Sequence, residues 1–263
     1  MQVFSPYVEV LWKRMPAPLA DIKAAGFDGV ECHLIGGLRS PKRVNEVRNE
    51  AEQLGLGIRF HQGWSWQTGQ RNLYNVVLRP LGVLVPVGES LAVQIRNVNG
   101  NPVVVYGNLA PEPSQLDCLY QTASEHVDGG PYTGKFVDFV HEVQSRRLPV
   151  VFDTQHVLEW FLDKTRVVGL PVNPEVIGQM VRELWQELGP FVKEIHLCDF
   201  NPLLGPTLGR NVFLGDGVFP LNEFCAEVRA SGWDGVVTPE VAPQHLGGNQ
   251  LRMLREEVHR LFC

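Results

Sequence analysis

No apolar run in this chain approaches the roughly 18 positions a membrane-spanning helix needs before Gly, Pro or a polar residue interrupts it. Cysteine is sparse: Cys32, Cys118, Cys198, Cys225 and Cys263 are odd in number, widely scattered and without a CxxC pair. That argues against a disulfide framework and leaves small buried core residues as their expected role. Basic charge is in deficit, with 23 Lys plus Arg against 29 Asp plus Glu and a net charge of -6. There is thus no general attraction to a polyanion, and nucleic acid becomes a weaker candidate partner. The opening stretch MQVFSPYVEVLWKRMP lacks a basic region followed by an apolar run and a small-residue cleavage site, so the expected location is cytoplasmic. No long linker or low-complexity segment divides the chain.

What is present is ordinary globular stock, 44% hydrophobic and 20% charged over 263 residues, near the length of one (β/α)8 barrel. Short β-type runs alternate with longer helical stretches, the order that builds a parallel sheet covered by helices. Strands are expected at 3–12, 26–33, 57–61, 102–106, 117–122, 148–153, 193–199 and 235–241. Helices are expected to end near Gly26 and to cover 41–54, 73–84, 90–96, 134–147, 157–163, 174–188, 220–230 and 249–262. In the second of these, Pro41 occupies the first turn and Val44, Val47, Ala51 and Leu54 share a face. The predicted fold is α/β, a single (β/α)8 TIM barrel spanning 1–263 as one domain. Too few residues separate Asn108 from Asp117 for a full helix, so a shortened unit is expected between strands four and five.

In a parallel barrel the C-terminal strand ends converge on one face, so polar residues closing apolar strands share a pocket whatever their separation in sequence. Those ends are Glu31, His61, Tyr106, Gln121, Asp153 with His156, His196 with Asp199, and Glu240. Carboxylates and imidazoles dominate, a donor set suited to one divalent ion such as Mn, Zn, Co or Mg. A carboxylate after Val-Val-Phe is costly to bury unpaired, so Asp153 is expected to meet a cation or a neighbour that holds it. His196 alone reads as a core histidine; beside Asp153 and Glu240 it reads as a ligand. Glu31 and His61 serve either the pocket or a structural pair with Arg59, Arg210 or the backbone. His156 falls on the rim, where a near-neutral imidazole can hold a substrate group or move a proton. Trp64 and Trp66 offer an apolar wall to a sugar ring, or plain packing.

Asp-Thr-Gln-His at 153–156, Glu-Ile-His-Leu-Cys-Asp at 194–199, Gly-Arg-Asn-Val-Phe-Leu-Gly-Asp-Gly at 209–217 and the strand ending in Glu240 resemble the xylose isomerase-like barrels. That group contains ketose epimerases, hydroxypyruvate isomerases, inosose dehydratases and metal-dependent apurinic endonucleases. The resemblance runs through nearly the whole chain in order and implies metal ligands at Asp153, His196 and Glu240, with His156 beside the substrate. The family's fourth ligand, a strand-five glutamate that also acts in acid/base chemistry, corresponds to Gln121, which could ligate but could not shuttle a proton. Glu125 is the alternative if the strand is shifted. Tyr106, Gly209 and Asn211 replace residues that the trinuclear endonucleases require.

The resulting expectation is a divalent-metal-dependent sugar or sugar-phosphate isomerase/epimerase-like enzyme, moving a proton next to a metal-polarised carbonyl. Its candidate catalytic groups are Glu240, His156 and Glu31, with His61, Trp64 and Arg210 contacting substrate. A dehydratase using the same chemistry, a metal-independent barrel binding a small polyol or anion, and an apurinic endonuclease are the alternatives. The expected partner is a small sugar or sugar phosphate, without a membrane, and a homo-oligomer is compatible with the sequence.

Overall fold

The computed structural model describes residues 1–8, 17–33, 41–61, 103–106, 118–121, 136–158, 174–204 and 210–263. Within them, strands β1 (Gln2–Val8), β2 (Gly29–His33), β3 (Gly57–His61), β4 (Val103–Tyr106), β5 (Cys118–Gln121), β6 (Val150–Asp153), β7 (Val192–Leu197) and β10 (Val236–Pro239) form a closed barrel. Every neighbouring pair is parallel, in the order β1-β2-β3-β4-β5-β6-β7-β10, and β10 closes the ring on β1. Beyond β7, β8 (Asp199–Phe200) and β9 (Arg210–Val212) pair antiparallel as a separate ribbon. The described helices are α1 (Leu19–Ala24), α2 (Pro41–Gln53), α3 (Phe136–Arg146), α4 (Pro174–Leu188), α5 (Leu221–Ala230) and α6 (Asn249–Phe262).

Side-chain alternation along a strand explains how apolar strands deliver a polar pocket. In β6, Phe152 points outward to the helical layer, where its ring centroid lies 5.7 Å from Trp185 and 5.2 Å from Phe224. Burying such a ring contributes about 1.5–3 kcal/mol. Asp153, next in the chain, therefore faces the barrel interior. The same two-residue step turns Glu194 and His196 inward on β7, while the alternating Ile195 and Leu197 join the apolar core. Leu251, Leu254, Val258 and Leu261 form the matching apolar stripe of α6. Close layering also needs small residues: a Cβ on Gly57 would lie 2.7 Å from the Phe4 ring.

The α/β barrel expected from the sequence is the fold observed. Strand β3 and helices α4 and α6 have the expected bounds, and the other described elements differ from expectation at their ends. One difference is larger: the seventh strand stops at Leu197 rather than continuing to 199, because Asp199 and Phe200 turn away to pair with Val212 and Arg210. The expected helices at 73–84 and 90–96, most of that at 157–163, the strand-one extension beyond Val8 and the shortened unit after Asn108 lie outside the described residues. Among the described residues, no helix is long and apolar enough to cross a membrane.

Candidate metal centre

Two polar layers fill the C-terminal half of the barrel. The lower one joins three strands: the Arg59 guanidinium of β3 bonds to Glu194 Oε2 of β7, and the Thr238 hydroxyl of β10 donates to Glu194 Oε1 at 2.7 Å. Two residues further along the same strands come His61, His196 and Glu240, joined by Glu31 and His33 from β2 and Asp153 from β6. Parallel pairing places His196 beside Asp153 on one side and Thr238 on the other. The backbone N–H of Glu240, donating to Leu197 O at 3.0 Å, fixes the end of β10 against β7.

His196 is the centre of this upper layer and is fully buried. Its Nε2 lies 3.0 Å from Glu31 Oε2, while Nδ1 is 3.6 Å from Asp153 Oδ2 and 3.5 Å from Glu240 Oε1. The surrounding carboxylates hold His196 well above its usual pKa and so keep both nitrogens protonated without a cation; with one, an Nε2 proton donated to Glu31 would leave Nδ1 to ligate. This is the carboxylate–imidazole arrangement by which proteins orient a metal-binding histidine. His33 stands across the pocket, its Nε2 3.4 Å from both Glu31 Oε1 and Glu240 Oε1, and its ring stacks on His61 at 4.5 Å and 7°. Cys198 Sγ lies 3.8 Å from Asp153 Oδ1 and 3.7 Å from Glu240 Oε2.

Local hydrogen bonding accounts for the Asp-x-x-His spacing. Asp153 ends β6 and begins a helical turn over 154–158; its Oδ1 accepts the His156 N–H at 3.0 Å, as an N-cap does, leaving Oδ2 toward His196 and, at 3.7 Å, His156 Nε2. Thr154 clips β6 to β7, its hydroxyl donating to Cys198 O and accepting the Cys198 N–H, both at 2.8 Å. Asp199 has a different task from the one its strand-end position suggests. Its carboxylate accepts the backbone N–H groups of Phe200, Gly215, Gly217 and Phe219 at 2.9–3.1 Å, building the Gly-Asp-Gly loop instead of facing the pocket.

The charges divide according to their neighbours. Burial would raise the pKa of Glu31, Asp153 and Glu240, but adjacent imidazoles outweigh it, and all three are held below the ordinary carboxylate range. Burial would lower His33, yet Glu240 and Glu31 push it up to about 9, whereas burial and the charge on His33 bring His61 down to about 4. Burial and the negative charge of Glu31 raise Glu194 to about 7, against the pull of Arg59. Burial, with Asp153 and Glu240 adjacent, drives the Cys198 thiol well above its usual value.

The donor set fits a divalent cation. Ligand atoms of Glu31, His61, His196 and Glu240 all lie within 4.8 Å of one another, as do those of Asp153, Cys198 and Glu240. Glu31 Oε1, His33 Nε2 and Glu240 Oε1 are buried without a hydrogen-bond partner among the described residues. Buried carboxylate oxygens left this way are costly unless a cation meets them.

A sequence model of the xylose isomerase-like TIM barrel matches residues 112–261. The chain belongs to the xylose isomerase-like TIM barrel family. Its fold is similar to that of L-ribulose 3-epimerase, with a TM-score of 0.53 at 12% identity, over 98% of this chain and 93% of the other. A xylose isomerase domain protein from Alicyclobacillus acidocaldarius subsp. acidocaldarius gives 0.51 at 15% identity, over 99% and 98% of the two chains. The E. coli 3-keto-D-glucoside 4-epimerase gives 0.51 at 12%, also over 99% and 98%. At these identities the likeness is one of fold. No curated protein sequence matches the chain.

In this xylose isomerase-like barrel the structure brings Asp153, His196, Glu240, Glu31 and His61 together, with His156 beside Asp153. It pairs Glu31 with His196 rather than with an arginine; Arg59 goes to Glu194. Gln121 lies at the C-terminal end of β5, its backbone in register with Tyr106 and Val151. Arg210 opens β9. Trp64, Trp66 and Glu125 lie outside the described residues. His33 and Glu194 were missed by sequence reasoning, although a signal existed: each is two residues from a nominated strand-end residue and so points to the same interior.

Proposed function

We propose that the chain is a divalent-metal-dependent sugar or sugar-phosphate isomerase/epimerase-like enzyme built as one barrel domain over 1–263. The observation that carries this reading is the direction of His196 Nδ1 toward Asp153 Oδ2 and Glu240 Oε1, at 3.6 and 3.5 Å. Asp153, His196 and Glu240 would hold the ion, with Gln121 or Glu125 as the further donor. A cation there supplies Lewis-acid polarisation of a carbonyl and an adjacent hydroxyl, the chemistry that acidifies the intervening C–H. That the fold is shared with two sugar epimerases supports a sugar as the substrate class.

The chain's own residues divide the remaining work by exposure and charge. The Glu240 side chain is 14% exposed whereas Glu31 is fully buried, so Glu240 is the carboxylate a substrate carbon can reach. Held ionised by His196 and His33 despite its burial, Glu240 is competent to take the α-proton. Glu31 retains the Nε2 proton of His196 and so fixes the ring. His156, tied to Asp153 at the rim, is placed to hold a substrate hydroxyl and exchange a proton with it. His61, Trp64 and Arg210 complete the substrate contacts in this reading.

The test is solvent-deuterium incorporation at the α-carbon across a panel of ketoses and ketose phosphates, followed by NMR. Exchange is expected with the metal-loaded protein, abolished by chelation and by Asp153→Ala. Glu240→Gln is expected to slow exchange by about 100- to 10,000-fold, the usual contribution of a general base. Chelated protein that binds a polyol with undiminished affinity, and loaded protein that exchanges nothing, would make this a metal-independent binding barrel instead.

A further inference from the structure

Among the described residues, Cys32 and Cys225 are buried in the apolar core, as small apolar side chains are. Cys198 is equally buried but meets carboxylates. The alternation that turns Glu194 and His196 inward continues one step past the end of β7, so its thiol faces the same interior. Thr154 pins the Cys198 backbone through both its N–H and its carbonyl, at 2.8 Å each, and so holds Sγ in place. Sγ stands 3.8 Å from Asp153 Oδ1 and 3.7 Å from Glu240 Oε2, and ligand atoms of the three residues all lie within 4.8 Å of one another. Around a tetrahedral ion, with metal–sulfur bonds of about 2.3 Å and metal–oxygen bonds of about 2.0–2.2 Å, sulfur and oxygen donors stand about 3.6 Å apart. A thiol is a weak donor with one proton, and Asp153 Oδ1 already accepts the His156 N–H. Glu240 Oε1 is buried without a hydrogen-bond partner among the described residues, as is Oε1 of the fully buried Glu31. One thiol proton reaches one of the two carboxylates beside it; a cation meets the sulfur and both.

We propose that Cys198 is a thiolate ligand of the ion held by Asp153 and Glu240, and that its sulfur makes the centre prefer zinc or cobalt to magnesium or manganese. Carboxylate and imidazole donors alone accept any of these ions, whereas a thiolate favours the softer ones. The thiol proton passes to solvent as the ion binds, because a coordinating thiol is deprotonated. The thiol thus adds a donor that the strand-end reading, which counted only carboxylates, imidazoles and Gln121, did not include. The inference rests on the proposed metal centre, and an ion bound without sulfur separates its failure from the failure of that centre.

The experiment strips the full chain with a chelator, titrates it with cobalt and follows absorption, for wild type and Cys198→Ser. Wild type is expected to bind cobalt with a near-ultraviolet sulfur-to-cobalt charge-transfer band, and Cys198→Ser to lose that band. Cobalt bound to wild type without the band overturns the thiolate and leaves the metal centre standing. A band that persists in Cys198→Ser assigns the sulfur to another cysteine and likewise overturns it. No cobalt in wild type overturns both readings. Selectivity is read from competition between zinc and manganese. Cys198→Ser is expected to lose more zinc affinity than the roughly 10- to 100-fold that an outer partner of a ligand contributes, with manganese affinity nearly unchanged. Equal losses for the two ions overturn the selectivity. Because a variant in this buried layer can fail to fold, X-ray absorption of zinc-loaded wild type provides a readout that needs no substitution. A sulfur neighbour at about 2.3 Å from zinc is expected, and a shell of nitrogen and oxygen alone overturns the proposal.

Discussion

Glu194 is fully enclosed in the barrel, and its two oxygens are held by Arg59 and Thr238. The arginine matters more than the hydroxyl because it is the charge partner. Arg59→Met is therefore expected to destabilise the protein by about 1–3 kcal/mol, the cost of leaving a buried carboxyl, which then protonates, without its partner, whereas Thr238→Val costs about 1 kcal/mol. Adding Glu194→Leu to Arg59→Met removes the stranded carboxyl, and most of the lost stability should return. Urea denaturation of the three variants and the double variant measures this; a double variant no more stable than Arg59→Met would show that the pair is not the unit that matters. Individual side chains were legible in the sequence when they closed a strand, as Asp153 and Glu240 do. His33 was less so: it closes the expected second strand, but only the observed register shows it lying between Glu31 and Glu240.

The β8–β9 ribbon ties the rim of the pocket together. Gln155, between Asp153 and His156, accepts the Asn211 N–H at 3.1 Å, and Asn211 O accepts the Ala242 N–H at 2.7 Å, linking the ends of β6 and β10 through β9. The ribbon's own loop is organised by Asp199, whose four amide bonds depend on Gly217: a Cβ there would overlap Asp199 Oδ1. Gly217→Ala and Asp199→Ala are each expected to cost about 2–3 kcal/mol, since either leaves buried amides or a carboxylate unsatisfied. Hydrogen exchange should show the loss of protection concentrated at 210–219, with β2 and β3 unaffected. Uniform loss across the barrel would mean the ribbon is part of the global folding unit. The sequence marked Gly-Asp-Gly as a motif, but its role as the receptor for Asp199 depends on a strand turning back on itself, which short-range pattern does not reveal.

For the molecule as a whole, the central charges predict how metal-free protein responds to pH. A raised pKa contributes stability below the unfolded value and loses it as pH rises through the folded one. His33, moved from 6.5 to about 9, and His196, also raised, thus lose their contribution on the alkaline side. A depressed pKa works in the opposite sense. Glu31 and Glu240, lowered from 4.5, and Asp153, lowered from 3.8, contribute above those values and lose it in acid. Between 4.5 and 6.5 the depressed His61 and the raised Glu194 oppose each other. The melting temperature of chelated protein is accordingly expected to be nearly level between pH 4.5 and 6.5 and to fall from 6.5 to 9. Saturating zinc at pH 8 should raise it, because a ligand of the folded state adds about 2.7 kcal/mol at 100 times its Kd. An unchanged melting curve with and without zinc would argue against metal at this centre.

Much of the barrel was determined by the sequence alone. Alternating apolar runs and amphipathic stretches sufficed for a parallel barrel, because the strand period and the helix period are local properties of the chain. The convergence of Asp153, His196 and Glu240 followed from that topology, since parallel strands bring their ends to one face. Only the tertiary structure decided which atoms face each other: Nδ1 of His196 toward two carboxylates, His33 between Glu31 and Glu240, Asp199 committed to backbone amides. Those outcomes depend on strand register and on interior neighbours more than 100 residues apart, such as Glu31 and His196, and no local pattern encodes them.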